Sequence, residues 1–238
     1  MNKFLLHITS LVALVLFLTM GACNNTPKTP ILLEAEKTIE KQPDSALNYL
    51  GRVNSDLQDA LQAQEYYLKA LEIGEDSKDY TLLIKIYNNL GTLYAYQDIN
   101  DMALPMYKKV LSYLELEPDS VKTAFALRNI ARIFSQTHQL DSAIIYYKQA
   151  TKFATPYIIS SIFIDLGNAY FEKSNYAEAD KYINEALKFA IDKTIDPINL
   201  SKGKLFYSLN NIDSAKYYLT LSSNSSYIYT KAGSFQRL

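Results

Sequence analysis

The chain repeats one spaced set of side chains five times, and this period constrains its fold more than any other feature. A small residue stands at Gly51, Gly91, Ala131, Gly167 and Gly203. Twelve residues after each comes an alanine, at Ala63, Ala103, Ala143, Ala179 and Ala215. Four further on is a bulky side chain: Tyr67, Tyr107, Tyr147, Ile183 or Leu219. Three beyond that lie Ala70, Val110, Ala150, Ala186 and, as the weakest match, Ser222. The alanines recur at intervals of 40, 40, 36 and 36 residues. A period of this size marks stacked copies of one supersecondary unit, none of which can bury its apolar face alone.

Inside each unit the apolar residues fall at helical spacing. Ile84, Tyr87, Leu90, Gly91 and Tyr94 share one stripe, as do Leu127, Ile130, Ala131 and Phe134. Asn100-Asp101 and Asp141-Ser142 read as turn and N-cap signals before a second helix in each unit. The small residue lets two helices approach, and the bulky residue fills the space beside that contact. Only seven glycines and seven prolines in 238 residues argue against a β-rich fold. Twenty tyrosines without a tryptophan read as wedges between helices, their hydroxyls reaching water at the edge.

Leu90-Gly91-Thr92-Leu93-Tyr94 with Ala103, Tyr107 and Val110, and Leu166-Gly167-Asn168-Ala169-Tyr170 with Ala179, Ile183 and Ala186, resemble the tetratricopeptide repeat. That resemblance implies an all-α, right-handed superhelical solenoid of antiparallel helix hairpins over residues 31–222. Spacings of 40 exceed the usual 34, so some helices or turns should be longer than in the family. Asn54 and Lys202 depart from the pattern at the two ends, where one face of a unit meets solvent. At the N-terminal end, Asp44-Ser45-Ala46 repeats a second-helix signal while Leu50-Gly51 fits a first helix, which predicts two roles fused in one helix. Residues 223–238 read as an incomplete C-terminal helix.

Phe4 to Met20 is a mostly apolar run, short for a membrane span and suited to a signal peptide. It closes on Met20-Gly21-Ala22-Cys23, which resembles a bacterial lipobox with Met20 in place of the usual leucine. The expectation is a signal peptide over 1–22, lipidation of Cys23, a polar tether over 23–30 and a domain facing the periplasm. The whole arrangement resembles the tetratricopeptide lipoproteins of the Bacteroidota, with Pro43-Asp44-Ser45-Ala46 as a shared motif. Longer members continue into a transmembrane helix and a regulator segment, which predicts that this chain is truncated relative to them.

No catalytic constellation emerges. His7 belongs to the presumed leader and His138 to a turn, and Cys23 is the single cysteine. The usual imidazole and thiolate donors therefore assemble no metal site, and no phosphate loop or nucleophile–base pair is present. The expected reading is a non-enzyme with no cofactor. A formal charge of −1 gives no electrostatic reason to expect nucleic acid.

What remains is surface. In this family the first helices line a concave groove, and positions four apart off the packing stripe point into it. These are Asn48 and Arg52, Asn88 and Thr92, Arg128 and Arg132, Ile164 and Asn168, Leu200 and Lys204, with Asn129 and Asp165 beside them. Asparagine offers donor and acceptor to a peptide backbone, and arginine clamps carboxylates. The partner groove is therefore assigned to Asn48, Arg52, Asn88, Arg128, Asn129, Arg132, Asn168 and Lys204, with an acidic protein or peptide segment as partner. A sensor lacking its output domain, and an outer-membrane assembly or pilus-biogenesis lipoprotein, stay open as alternatives.

Overall fold

The computed structural model describes residues 30–39, 41, 42, 47 and 57–223. The presumed leader, Cys23 and its tether, the fused helix at residues 44–56 apart from Leu47, and the segment after residue 223 lie outside the described residues. Within them the chain is helical apart from turns and short linkers, and contains no strand. The helices are α1 (Pro30–Thr38), α2 (Leu57–Ser77), α3 (Tyr80–Tyr96), α4 (Asn100–Leu114) and α5 (Ser120–Gln136). They continue with α6 (Leu140–Thr151), α7 (Pro156–Glu172), α8 (Tyr176–Lys188), α9 (Asp192–Ser208) and α10 (Ile212–Ser223). From α3 onward they pair as hairpins α3–α4, α5–α6, α7–α8 and α9–α10, each packed on the hairpin before it. The array is a helical solenoid.

Size complementarity holds each hairpin together. Ala103, Ala143, Ala179 and Ala215 are all fully buried. A Cβ on Gly91 would sit 2.8 Å from the Tyr107 ring, and one on Gly167 would sit 2.8 Å from Ile183 Cγ1. One on Gly203 would lie 2.6 Å from Leu219 Cγ. In each hairpin the small residue faces the bulky residue sixteen positions later, as the period requires. A second column of contacts joins the same helices twelve residues apart. Phe134 stacks on Tyr146, Tyr170 on Tyr182 and Phe206 on Tyr218, with ring centroids 5.4–5.5 Å apart.

The uneven period has a local cause. The first helices α3, α5, α7 and α9 are each 17 residues long. The extra length lies after the alanine, since α4 has 15 residues where α6 has 12. The linker at 115–119 is also one residue longer than that at 152–155. The helix α2, with 21 residues, accounts for the first long interval in the same way.

The turns inside the hairpins are identical in construction. Asp98, His138, Ser174 and Asn210 each adopt φ between 57 and 59°, left-handed backbone that usually selects glycine. Each ends its helix with the same bond pair: Asp98 N–H donates to the Ala95 carbonyl (3.2 Å) and Ile99 N–H to the Tyr94 carbonyl (2.9 Å). No glycine marks these turns, so the periodic reading missed them. Asn100 is also not the expected cap. It is the first residue of α4, whose N-cap Ile99 makes no side-chain bond, and Asn100 Oδ1 is buried without a partner. Caps instead come from Asp79 and Asp119, whose carboxylates accept from Leu82 N–H and Lys122 N–H at the starts of α3 and α5.

Five of the tyrosines are among the deepest of the expected wedges. Tyr67, Tyr87, Tyr94, Tyr107 and Tyr147 are buried side chains, and burial is the main cause that raises the pKa of each hydroxyl. Two of their oxygens end against a polar partner between helices. Tyr107 Oη lies 3.2 Å from Thr92 Oγ1, and Tyr87 Oη lies 3.5 Å from Glu75 Oε1.

Candidate functional site

The first helices share one layer of the solenoid, but they do not close on one another evenly. In the C-terminal half α5 touches α7 and α7 touches α9. Polar bonds fasten both junctions. Arg128 Nε donates to Asp165 Oδ2 at 2.7 Å, joining α5 to α7. Ser201 Oγ donates to Asn168 Oδ1 at 2.8 Å, joining α9 to α7. Two of the residues assigned to the groove are therefore committed to holding repeats together. The Arg128–Asp165 pair is about four-fifths buried on both sides, so it is shielded from solvent more than a surface pair. Ile164 is buried in the core with Ala179, Ile183 and Ala186 of α8 instead of lining a groove. Lys204 is exposed on α9.

Between α3 and α5 the same layer stays open. A cleft of about 470 Å³ runs there. Its polar lining is Lys85, Asn88 and Asn89 from α3 with Lys122 and Asn129 from α5. Its apolar lining is Phe125 on the rim and the buried Leu47, Ile84 and Val110 beneath. A second hollow of about 90 Å³ continues along the same two helices, bordered by Thr92, Tyr96, Tyr107, Arg132 and Gln136. Asn129 borders both, so the two form one lengthwise valley.

Helix geometry explains why these residues converge. Lys85, Asn88, Thr92 and Tyr96 follow at intervals of three or four along α3, with Asn89 beside Asn88, and Lys122, Phe125, Asn129, Arg132 and Gln136 do so along α5. Among the described residues the lining holds three cationic side chains and no carboxylate, although the whole chain has a formal charge of −1. Lys122 is partly occupied, since its Nζ lies 2.9 Å from Asp119 Oδ2. Thr92 Oγ1 donates to the Asn88 carbonyl at 2.9 Å and is held in place by that bond.

Of the expected groove residues, Asn88, Asn129 and Arg132 meet in this valley. Asn48 and Arg52 lie outside the described residues, as does Cys23. The sequence reading missed Lys85, Asn89, Lys122 and Phe125. For Lys85, Asn89 and Phe125 the signal was available, because each sits three or four residues from an expected groove position on the same helix; Lys122 lies a further turn before Phe125.

Comparisons with known proteins agree with the fold. Tetratricopeptide-repeat family models match residues 43–116 and 100–155, and a second such model matches residues 160–190. Together these spans exceed half the chain. The protein ycf37 from Cyanophora paradoxa is 32% identical over 114 residues, covering 48% of this chain and 62% of that protein. The chain thus matches less than two thirds of that relative's length. Among solved structures, BtubC (BKLC) from P. vanneervenii superposes with a TM-score of 0.68 at 18% identity, covering 85% of this chain and 87% of the other. YrrB, described as a TPR protein with an unusual peptide-binding site, gives a TM-score of 0.53 at 16% identity, covering 84% and 96%. At such identities the likeness concerns the fold alone.

Proposed function

The chain belongs to the tetratricopeptide-repeat family, and from that premise we propose that it is a non-catalytic scaffold capturing an extended segment of a protein partner in the α3/α5 valley. A lipid on Cys23 would hold it at a membrane, with the array facing the periplasm. The observation that carries the binding reading is the open, amide-lined cleft of about 470 Å³ in a layer otherwise fastened shut. Asn88, Asn89 and Asn129 present side-chain amides to a peptide backbone, which needs both a donor and an acceptor. A preformed valley on rigid helices captures such a segment at little ordering cost on the protein's side. The likeness of the fold to a peptide-binding TPR protein supports the same reading.

The test is photo-crosslinking from position 129 in intact cells, followed by affinity measurement with the captured partner. Changing Asn88 and Asn129 together to alanine should weaken binding at least tenfold. Arg128→Ala should change it less than twofold, because that guanidinium serves Asp165. Equal losses from both variants would refute the assignment of the valley.

The anchor is supported by the sequence Met20-Gly21-Ala22-Cys23 after an apolar run. No helix among the described residues is long and apolar enough to cross a membrane. The expected result for Cys23→Ser is release of the protein from the membrane fraction into the soluble one. Unchanged tight sedimentation with membranes would contradict lipid anchoring.

A further inference from the structure

The two edges of the solenoid differ in chemistry, and we infer that the edge holding the linkers 152–155 and 189–191 rests on a phospholipid bilayer. This surface is separate from the valley, and the inference rests on residues 4–23 holding the chain at a membrane. On this edge Tyr157 is 60% exposed, Leu187 49%, Ile195 42%, Phe153 41% and Phe189 38%. Single exposed apolar side chains are ordinary, but a contiguous group of them marks an interaction surface.

A buried junction makes them contiguous. Ser160 Oγ on α7 donates to the Ala186 carbonyl on α8 at 2.9 Å and lies 3.3 Å from Thr194 Oγ1 on α9. Tyr157 stands one turn before Ser160, Leu187 and Phe189 follow Ala186, and Ile195 follows Thr194. Three helix ends thus bring their exposed side chains to one place. Lys193 Nζ donates to Tyr157 Oη at 2.5 Å and sits 4.0 Å from the centre of its ring, which joins the rims of α7 and α9. Lys152 and Phe153, both exposed, extend the group along the linker before α7.

Shape and composition choose the occupant. The group sits on helix ends and linkers, so it forms a ridge, and a ridge cannot enclose a ligand as a hollow does. A fluid bilayer covers a ridge by letting its side chains sink between the headgroups. Tyr157 offers an apolar ring with a polar tip, and Lys152, Lys188 and Lys193 carry their charges on apolar stems. Both kinds of side chain suit the headgroup region. Glu185, paired with Lys188 at 2.6 Å, offsets the lysine charge together with Asp192 and Asp196, so the contact is chiefly apolar and needs no anionic lipid. The opposite edge of the same hairpins carries Thr137, His138, Gln139, Lys173, Ser174 and Asn175, all polar and exposed. Cys23 and the start of α1 at Pro30 are seven residues apart, at most about 25 Å of extended chain. So short a tether keeps the array against the bilayer, where even a weak contact suffices.

The chain has no tryptophan, so one introduced tryptophan reports its own depth. The full chain is reconstituted into phosphatidylcholine vesicles whose acyl chains carry bromine near the headgroup, a quencher that acts at contact distance. Phe189→Trp should lose about half of its emission relative to unbrominated vesicles, as expected for a side chain at the headgroup boundary. Gln139→Trp, on the polar edge, should lose almost none. Adding Tyr157→Ser and Leu187→Ser, both at exposed positions, should abolish most of the loss at position 189. Equal quenching at positions 139 and 189, or quenching that survives both serine substitutions, would overturn the inference while the chain still floats with the vesicles. A dry but unquenched probe at position 189 would overturn it too, since a protein, such as a second copy of this chain, then covers the edge. A chain that does not float with the vesicles removes the membrane anchor and this inference together.

Discussion

Raising the pH from 10 to 11 is expected to unfold this array in one cooperative step, because the fold buries tyrosine hydroxyls that the unfolded chain can ionise. Tyr67, Tyr87, Tyr94, Tyr107 and Tyr147 all have their pKa raised chiefly by burial, that of Tyr94 to about 12. Above about pH 10 the unfolded state loses these protons while the folded state keeps them. The unfolded state then binds fewer protons, so stability falls as pH rises. Each such tyrosine removes about 1.4 kcal/mol per pH unit within that window. Several acting together reach the roughly 5–15 kcal/mol that holds a typical domain folded. Below pH 10 the same groups are neutral in both states, and their contribution is complete and constant.

Chemical denaturation at pH 8, 10, 10.5 and 11 measures this slope directly. Tyr94→Phe is the decisive variant, because burial is the one cause raising the Tyr94 pKa. It should change stability little at pH 8 and make the alkaline slope shallower by about 1.4 kcal/mol per pH unit. A stability that stays flat between pH 10 and 11 would mean that these hydroxyls reach water, as the sequence alone had suggested.

That difference shows which parts of the molecule were legible beforehand. Close approach of two helices restricts residue size at a fixed position, so Gly91, Ala103 and Tyr107 announce their contact through spacing alone. Burial depth of a tyrosine oxygen depends instead on what the next repeat places over it, and a single helix carries no record of that. The same applies to Arg128 and Asp165. They are 37 residues apart in sequence, and only the stacking register of two hairpins brings their charges to 2.7 Å. Read on one helix, Arg128 and Arg132 look equivalent. In the array one is a fastener and the other is exposed, with no ion pair among the described residues. The left-handed turns at Asp98, His138, Ser174 and Asn210 escaped notice for another reason: they repeat the period of the alanines with four different residue types, so position carries the signal and composition does not.

The packing rule itself makes the second strong prediction, a graded response to adding one methyl group at the glycines. Alanine in a helix interior is favoured over glycine by about 0.8–1 kcal/mol, while overpacking a tight contact costs about 1–3 kcal/mol. The sign therefore depends on whether the facing group can move. At Gly91 the nearest atoms to a new Cβ all belong to the Tyr107 ring. The α5–α6 hairpin already carries an alanine at the equivalent position, Ala131, sixteen residues before Tyr147, so Gly91→Ala should be close to neutral. At Gly167 the new Cβ would meet Ile183 Cγ1 at 2.8 Å and also the backbone of α8, with Ala179 O and Ile183 N both at 3.3 Å. A backbone cannot rotate away as a side chain can. Gly167→Ala should therefore lower stability by about 1–2 kcal/mol, a fall in Tm of a few degrees at roughly 2–4 °C per kcal/mol for a chain of this size. Thermal unfolding of the two variants side by side checks the order. Equal Tm values would mean that the helices spread freely, and that the recurrent glycine is not what sets their separation.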